Sequence, residues 1–232
     1  MENSPGRATW RETLRGSKLL ILVELLCVVG VFVADQHHLI YLSKTPYLAA
    51  LACLSLAVRG VHWREIGLRG SDRWVRLVLM GIAAGIAMEA LELFVTQPVL
   101  VAITGKFPDL SDFHKLIGNV KLLLILIGLS WVAAGFGEEF VWRGYLLNRL
   151  ADLFGRHRAG WAIALIAMSA AFGLAHAYQG VTGIVENTIA GLLLGGLYLA
   201  SGRNLLVPII AHGITDTCDF LLIYSGHYPG MH

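Results

Sequence analysis

Long apolar runs separated by short polar connections set the pattern of this chain. A helix needs about 20 mostly apolar residues to span the hydrocarbon core of a bilayer. Seven stretches read this way: 19–34, 45–58, 74–103, 120–150, 160–177, 183–200 and 205–224. The second is short. The third and fourth exceed a single crossing, so they predict a tilt, a kink or an extension past the bilayer, and the count becomes eight if the third is two pieces. The pattern predicts an all-α fold, a polytopic membrane helix bundle. It divides the chain into a basic tail (1–18), N-terminal transmembrane helices with their loops (19–119), a C-terminal helix bundle (120–225) and a short end (226–232).

Composition agrees. Hydrophobic residues make up 56% of the 232 residues and charged residues only 15%, with a mean hydropathy of +0.65; a soluble domain carries about a quarter charged residues. No polar stretch is long enough to predict a separate soluble domain. The basic N-terminal stretch reads as the flank of a first membrane helix, because no small-residue cleavage site follows the apolar run. Cys27, Cys53 and Cys218 lie in apolar segments without shared spacing. That excludes a disulfide framework and a cysteine-based zinc site, and leaves buried packing as their expected use.

The distribution of charge orients the bundle. Arg7, Arg11, Arg15 and Lys18 precede the first span, Arg59, Arg64, Arg69, Arg73 and Arg76 fill the second connection, Arg149, Arg156 and Arg158 follow the fourth, and Arg203 follows the sixth. The alternate connections hold only Lys44, Lys106, Lys115 and Lys121. By the positive-inside rule the N-terminus and the arginine-rich connections are expected in the cytoplasm and the C-terminus outside. The expected location is a bacterial inner membrane. No internal repeat supports an inverted-repeat transporter.

Against this background Glu138-Glu139-Phe140-Val141-Trp142-Arg143 stands out, since it interrupts one of the most apolar stretches. An ionised carboxylate near the bilayer centre costs roughly 3 kcal/mol on insertion scales, so intramembrane carboxylates are functional candidates by default. Glu139 and Arg143 are i,i+4 neighbours able to pair, whereas on an α-helix Glu138 points about 100° away and can face a cavity. Phe172 and His176, and then His212 and Asp216, repeat the i,i+4 spacing on later spans. Counted from the cytoplasmic helix ends, Glu138, His176 and His212 fall roughly 14–24 Å in, a depth at which all three can meet. The bland reading of a lone membrane histidine is an interhelical hydrogen bond, but two histidines with paired carboxylates make a set able to move protons, bind a metal or activate water. Glu89 and Glu92, and Glu186 with Asn187, read as structural hydrogen bonding. Glu24 and Glu65 read as non-catalytic, and Gly191, Gly195 and Gly196 as close helix packing.

Three motifs, Glu138-Glu139-x-x-x-Arg143, Phe172-x-x-x-His176 and His212-x-x-x-Asp216, together with the glycine-rich approach from Gly191 to Gly202, resemble those of the CAAX protease and bacteriocin-processing (CPBP, or Abi) family. That family includes the type II CAAX prenyl endopeptidases. The resemblance covers roughly residues 120–216, and it implies an intramembrane protease whose catalytic core is the last four spans. Glu138 with His176 would activate a water molecule, Glu139 and Arg143 would fix the helix and orient Glu138, and His212 with Asp216 would stabilise the oxyanion or serve the leaving amine. Many members carry Asn where this chain has Asp216, and an ionised Asp accepts hydrogen bonds where Asn can also donate. The resemblance leaves two chemistries open: a metal-free glutamate site, and a zinc site built from Glu138, His176 and His212. The absence of a His-Glu-x-x-His helix tilts the reading to the former. The expected partners are the bilayer and a membrane protein or (lipo)peptide substrate, not nucleic acid. Alternatives from other classes are a proton- or ion-coupled transporter using Glu89, Glu92, Glu138 and Glu186 as a relay, and a non-catalytic immunity or scaffold protein.

Overall fold

Inside lipid, backbone N–H and C=O groups must be satisfied within the protein, and helices do this segment by segment. The computed structural model describes residues 10–41 and 43–231, which form helices and no strand. Arg7 and the side chain of Arg11 lie outside the described residues. The helices are α1 (Trp10–Gly16), α2 (Lys18–Gln36), α3 (Lys44–Arg59), α4 (Trp74–Thr104) and α5 (Val120–Phe154), α6 (Arg158–Leu174), α7 (Gly180–Ala200) and α8 (Leu206–Tyr224). Among the described residues five helical stretches are long and apolar enough to cross a membrane: α2, α4, α5, α7 with the turn before it, and α8. Helices α3 and α6 are shorter, at 16 and 17 residues.

Local chemistry sets the ends. Ser17, Asn119 and His157 accept backbone N–H bonds at the starts of α2, α5 and α6 (3.2, 3.1 and 3.1 Å), each satisfying a donor that the first turn leaves free. The third apolar run is one rod rather than two pieces. Pro98 cannot take part in a regular α ladder, and the turn before it, Glu92–Thr96, widens to π-helix and lets the rod continue. At 31 residues α4 is about 46 Å long, and α5, with 35 residues, also exceeds one membrane thickness.

The centre of the bundle is the second half of α5. Every residue from 139 to 149 is buried, so this helix is enclosed on all faces, packed by Leu48, Ala52 and Leu56 of α3, Met168 and Phe172 of α6 and Tyr198 of α7. Helix α8 lies close along α4, where a side chain at Gly85 would come within 2.7 Å of Ile214 Cβ. Gly191 and Gly195 pack tightly against α6, as their spacing predicts, but Gly196 faces open space. Cys27 and Cys53 lie on the outside of the bundle. Their expected role in buried packing is therefore corrected: their helix faces present them to lipid with Leu26, Val29 and Leu54.

Polar anchors tie the first helices together. Glu24 accepts from Arg59 (3.0 Å) and Ser55 (2.8 Å) in a buried contact between α2 and α3, and Glu65 pairs with Arg15 (3.2 Å). Arg15, Arg64, Arg69, Arg149, Arg156 and Arg203 line one cleft at the end of the bundle where α3, α5 and α7 finish. Residues 225–231 do not form a free end. With positive φ at Gly226 and Gly230 (72° and 79°) the chain turns back, and Tyr228 and Met231 are buried against Leu116, Leu123 and Ile223.

Candidate active site

The candidate residues sit on an unusual piece of helix. From Ser130 to Leu146 α5 is wound almost entirely as π-helix, with Glu139 at the junction of its two segments. A π-helix turns less per residue than an α-helix and is frequent at functional sites, so the divergence expected for a regular helix does not describe Glu138 and Glu139. They nevertheless face different surroundings. Glu138 lines a cavity of about 620 Å³, while Glu139 is wholly enclosed behind it.

Glu139 is the hub of the buried network. Its Oε1 accepts from Arg143 Nη1 at 2.5 Å and lies 2.8 Å from His212 Nδ1, so one carboxylate oxygen joins two positions of α5 to α8. Arg143 is equally buried, donates to the Gly191 carbonyl on α7 (3.4 Å), and holds its guanidinium 4.6 Å from the centre of the Phe172 ring. The i,i+4 pair predicted from sequence is present, and it reaches α6, α7 and α8 as well. A carboxylate can only accept, so His212 carries its proton on Nδ1 and turns Nε2 towards Asp216, whose Oδ1 is 3.6 Å away. That gap is longer than a hydrogen bond.

His176 lies just beyond the end of α6 instead of within the span expected for it. Helix α6 stops at Leu174, and His176 N–H bonds Gly173 O (2.9 Å). In a continuing helix the Phe172 carbonyl would receive that N–H; here it receives the His176 ring Nδ1 at 2.9 Å. A carbonyl only accepts, so Nδ1 is the protonated nitrogen and Nε2 of a neutral ring is left as a free acceptor. The Phe172 ring packs against both imidazoles, at 4.8 Å from His176 and 6.3 Å from His212.

Glu138, Phe172, His176, His212 and Asp216 line the same cavity, and Glu139 and Arg143 stand behind its wall. Among the described residues no three His, Cys, Asp or Glu side chains converge as a metal-ligand set. Glu138, His176 and His212 do not form such a set in this arrangement. Several residues of the wall escaped the sequence reading. Lys44 projects beside Asp35 (3.5 Å) and lies 5.9 Å from the centre of the Tyr178 ring. Tyr228 reaches back from the C-terminal turn to Glu92 (3.4 Å) and accepts from Gln97 (3.3 Å); burial above all, and then Asp219 and Glu92, push its phenol above the usual range and keep it a donor. Asn187 bonds Gln179 and Gly183 (both 2.9 Å) as expected of a structural polar residue. Glu89 meets Asp219 in a carboxyl–carboxyl hydrogen bond, whereas Glu186 does not follow that expectation, because its Oε1 has no hydrogen-bond partner.

Residues 120–218 match the family model described as Rce1-like, type II CAAX prenyl endopeptidase Rce1-like. This is the family to which the three motifs point. The Rce1-like segment starts with α5, ends within α8 and contains all six candidate residues; it leaves out Glu89, Glu92, Asp219 and Tyr228. At the level of the family, the match and the apolar helices support a membrane-embedded protease of the CAAX type. No curated protein and no solved structure matches the chain.

Proposed function

We propose that the chain is an intramembrane endopeptidase that crosses the membrane seven times and hydrolyses a peptide bond in a membrane-associated protein or peptide. The observation that carries this is the sharing of one cavity by Glu138, His176, His212 and Asp216, with the Glu139–Arg143 pair sealed behind them. Glu138 and the free Nε2 of His176 hold a water molecule, and Glu138 takes its proton as the oxygen attacks the scissile carbonyl. His212, fixed through Nδ1 by Glu139, presents its Nε2 edge beside Asp216 to the developing oxyanion or the departing amine. Arg143 and Glu139 position rather than react.

The cavity also has a direction. Its rim comes from residues that follow α2, α4, α6 and α8, such as Ser43, Pro108, Tyr178 and Tyr228, whereas the arginine cleft lies at the other ends of the helices. With arginines on the cytoplasmic side, the mouth faces outward and the N-terminus lies in the cytoplasm.

Glu138→Gln is the test. It keeps size and hydrogen bonding but removes the base, so cleavage of peptides by purified enzyme in micelles should fall at least about 100-fold. Near-normal cleavage by that variant removes Glu138 from the mechanism. A strong chelator should leave the wild-type rate unchanged; loss of activity restored by added Zn²⁺ would instead establish the zinc alternative.

A further inference from the structure

The part of the cavity wall supplied by α4, α7 and α8 is acidic, and those helices place no Lys or Arg in it. Glu92, Glu186, Asp216 and Asp219 line it, and Glu89 hydrogen-bonds Asp219 just behind, a contact in which one carboxyl must carry the proton. Glu92 has the Tyr228 hydroxyl as a donor at 3.4 Å. Glu186 does not: it is 6% exposed, lines the cavity, and its Oε1 has no hydrogen-bond partner. Beyond their mutual contact, both oxygens of Glu89 and Oδ1 of Asp219 have no donor. Lys44 is the only Lys or Arg among the described residues that line the cavity, and Asp35 already holds it at 3.5 Å.

Buried carboxylates without donors are costly, and within a membrane they survive where something pairs with them. The chain supplies no such partner to Glu186. A metal ion does not fit, because no three of these side chains converge. An ammonium or guanidinium group does fit, since its several N–H donors spread over a wide arc and can meet carboxylates that do not point at one centre. The cavity, at about 620 Å³, holds a long side chain together with the peptide that bears it.

We infer that the wall formed by Glu92, Glu186 and Asp219 is a subsite for a cationic nitrogen group of the substrate, a Lys or Arg side chain or a free amino terminus, so that the enzyme acts on basic peptides. This rests on the same cavity being the substrate site. Glu92 and Asp219 lie outside the segment that matches the Rce1-like family, so the subsite belongs to this chain's own arrangement of α4 and α8 around the shared motifs.

The test measures binding without cleavage. Full-length Glu138→Gln protein in zwitterionic micelles is titrated with fluorescent hydrophobic decapeptides in three forms. The first has a blocked N-terminus and one lysine placed at each position in turn, the second carries acetyl-lysine instead, and the third carries acetyl-lysine with a free N-terminus. At least one amine-bearing form should bind at least about tenfold tighter than the fully blocked one. A lysine advantage assigns the subsite to a side chain, and a free-terminus advantage assigns it to the amino end. In the Glu138→Gln/Glu186→Gln/Asp219→Asn protein the advantage should shrink below about twofold while the blocked peptide still binds; if the blocked peptide no longer binds, Glu138→Gln/Glu186→Gln decides instead. Equal binding of all three forms overturns the inference, and so does an advantage that survives the loss of Glu186 and Asp219 charge. A preference that holds while wild-type enzyme cleaves no peptide would remove the protease reading and leave the subsite standing.

Discussion

Arg143→Ala probes the buried network most directly. The guanidinium is fully enclosed, 2.5 Å from Glu139 Oε1 and 4.6 Å from the Phe172 ring centre. Truncation leaves Glu139 buried with His212 as its remaining partner. Removing one member of a buried pair costs roughly 3–5 kcal/mol, and a desolvated cation–π contact contributes about 2 kcal/mol; these overlap, so the expected loss is at least about 3 kcal/mol. Arg143→Lys should recover only part of it, because an ammonium can hold Glu139 but cannot lie flat on Phe172 and also reach the Gly191 carbonyl. The double variant Glu139→Gln/Arg143→Met removes both charges and should regain more than half of the stability lost in Arg143→Ala. It should stay nearly inactive, since His212 loses its charged acceptor. Reversible unfolding in SDS-containing mixed micelles gives the free energies, and peptide cleavage at matched folded fractions gives the activities. An Arg143→Ala protein within about 0.5 kcal/mol of wild type, or a double variant less stable than that single one, would show that the pair does not hold the helices as described.

Two further outcomes follow from the geometry. Asp216→Asn should keep activity within about tenfold of wild type and move one limb of the pH–rate profile, since it removes the charge facing His212 Nε2; an unchanged profile at every pH would end the proposed coupling. Single cysteines placed at Ser43 and at Arg203, in a protein lacking its native cysteines, should react with a membrane-impermeant maleimide from opposite faces of sealed vesicles, Ser43→Cys from outside and Arg203→Cys from the cytoplasmic side; the reverse pattern would place the cavity mouth in the cytoplasm.

Much of this architecture was legible because lipid imposes simple periodic demands. The apolar runs from 19 to 224 gave the helices with ends within about four residues, and the alternation of arginines anticipated the gathering of Arg64, Arg149 and Arg203 at one end. The Glu139–Arg143 pair was readable because it is local. What stayed hidden depends on departures from a regular helix or on long-range contacts. The π-helical winding of residues 130–146 has no marker as plain as Pro98 in α4. The bond from Glu139 to His212 joins residues 73 positions apart. His176 read as a span residue because nothing before Gly180 announces the end of α6 at Leu174. The return of Tyr228 to Glu92 rests on two glycines in a stretch that read only as a short tail.

The walls of the cavity come from both halves of the chain: Asp35, Lys44, Met88 and Glu92 precede the Rce1-like segment, and Tyr228 follows it. That segment therefore does not enclose the cavity by itself. Cut free, it would present Glu138 and His212 to lipid through the openings that α3 and α4 now close. Exchanging those two helices between related proteins should leave the proposed reacting groups intact and change what the cavity admits, so on this reading substrate range can diverge in the chain's first hundred residues while the proposed chemistry stays with the second.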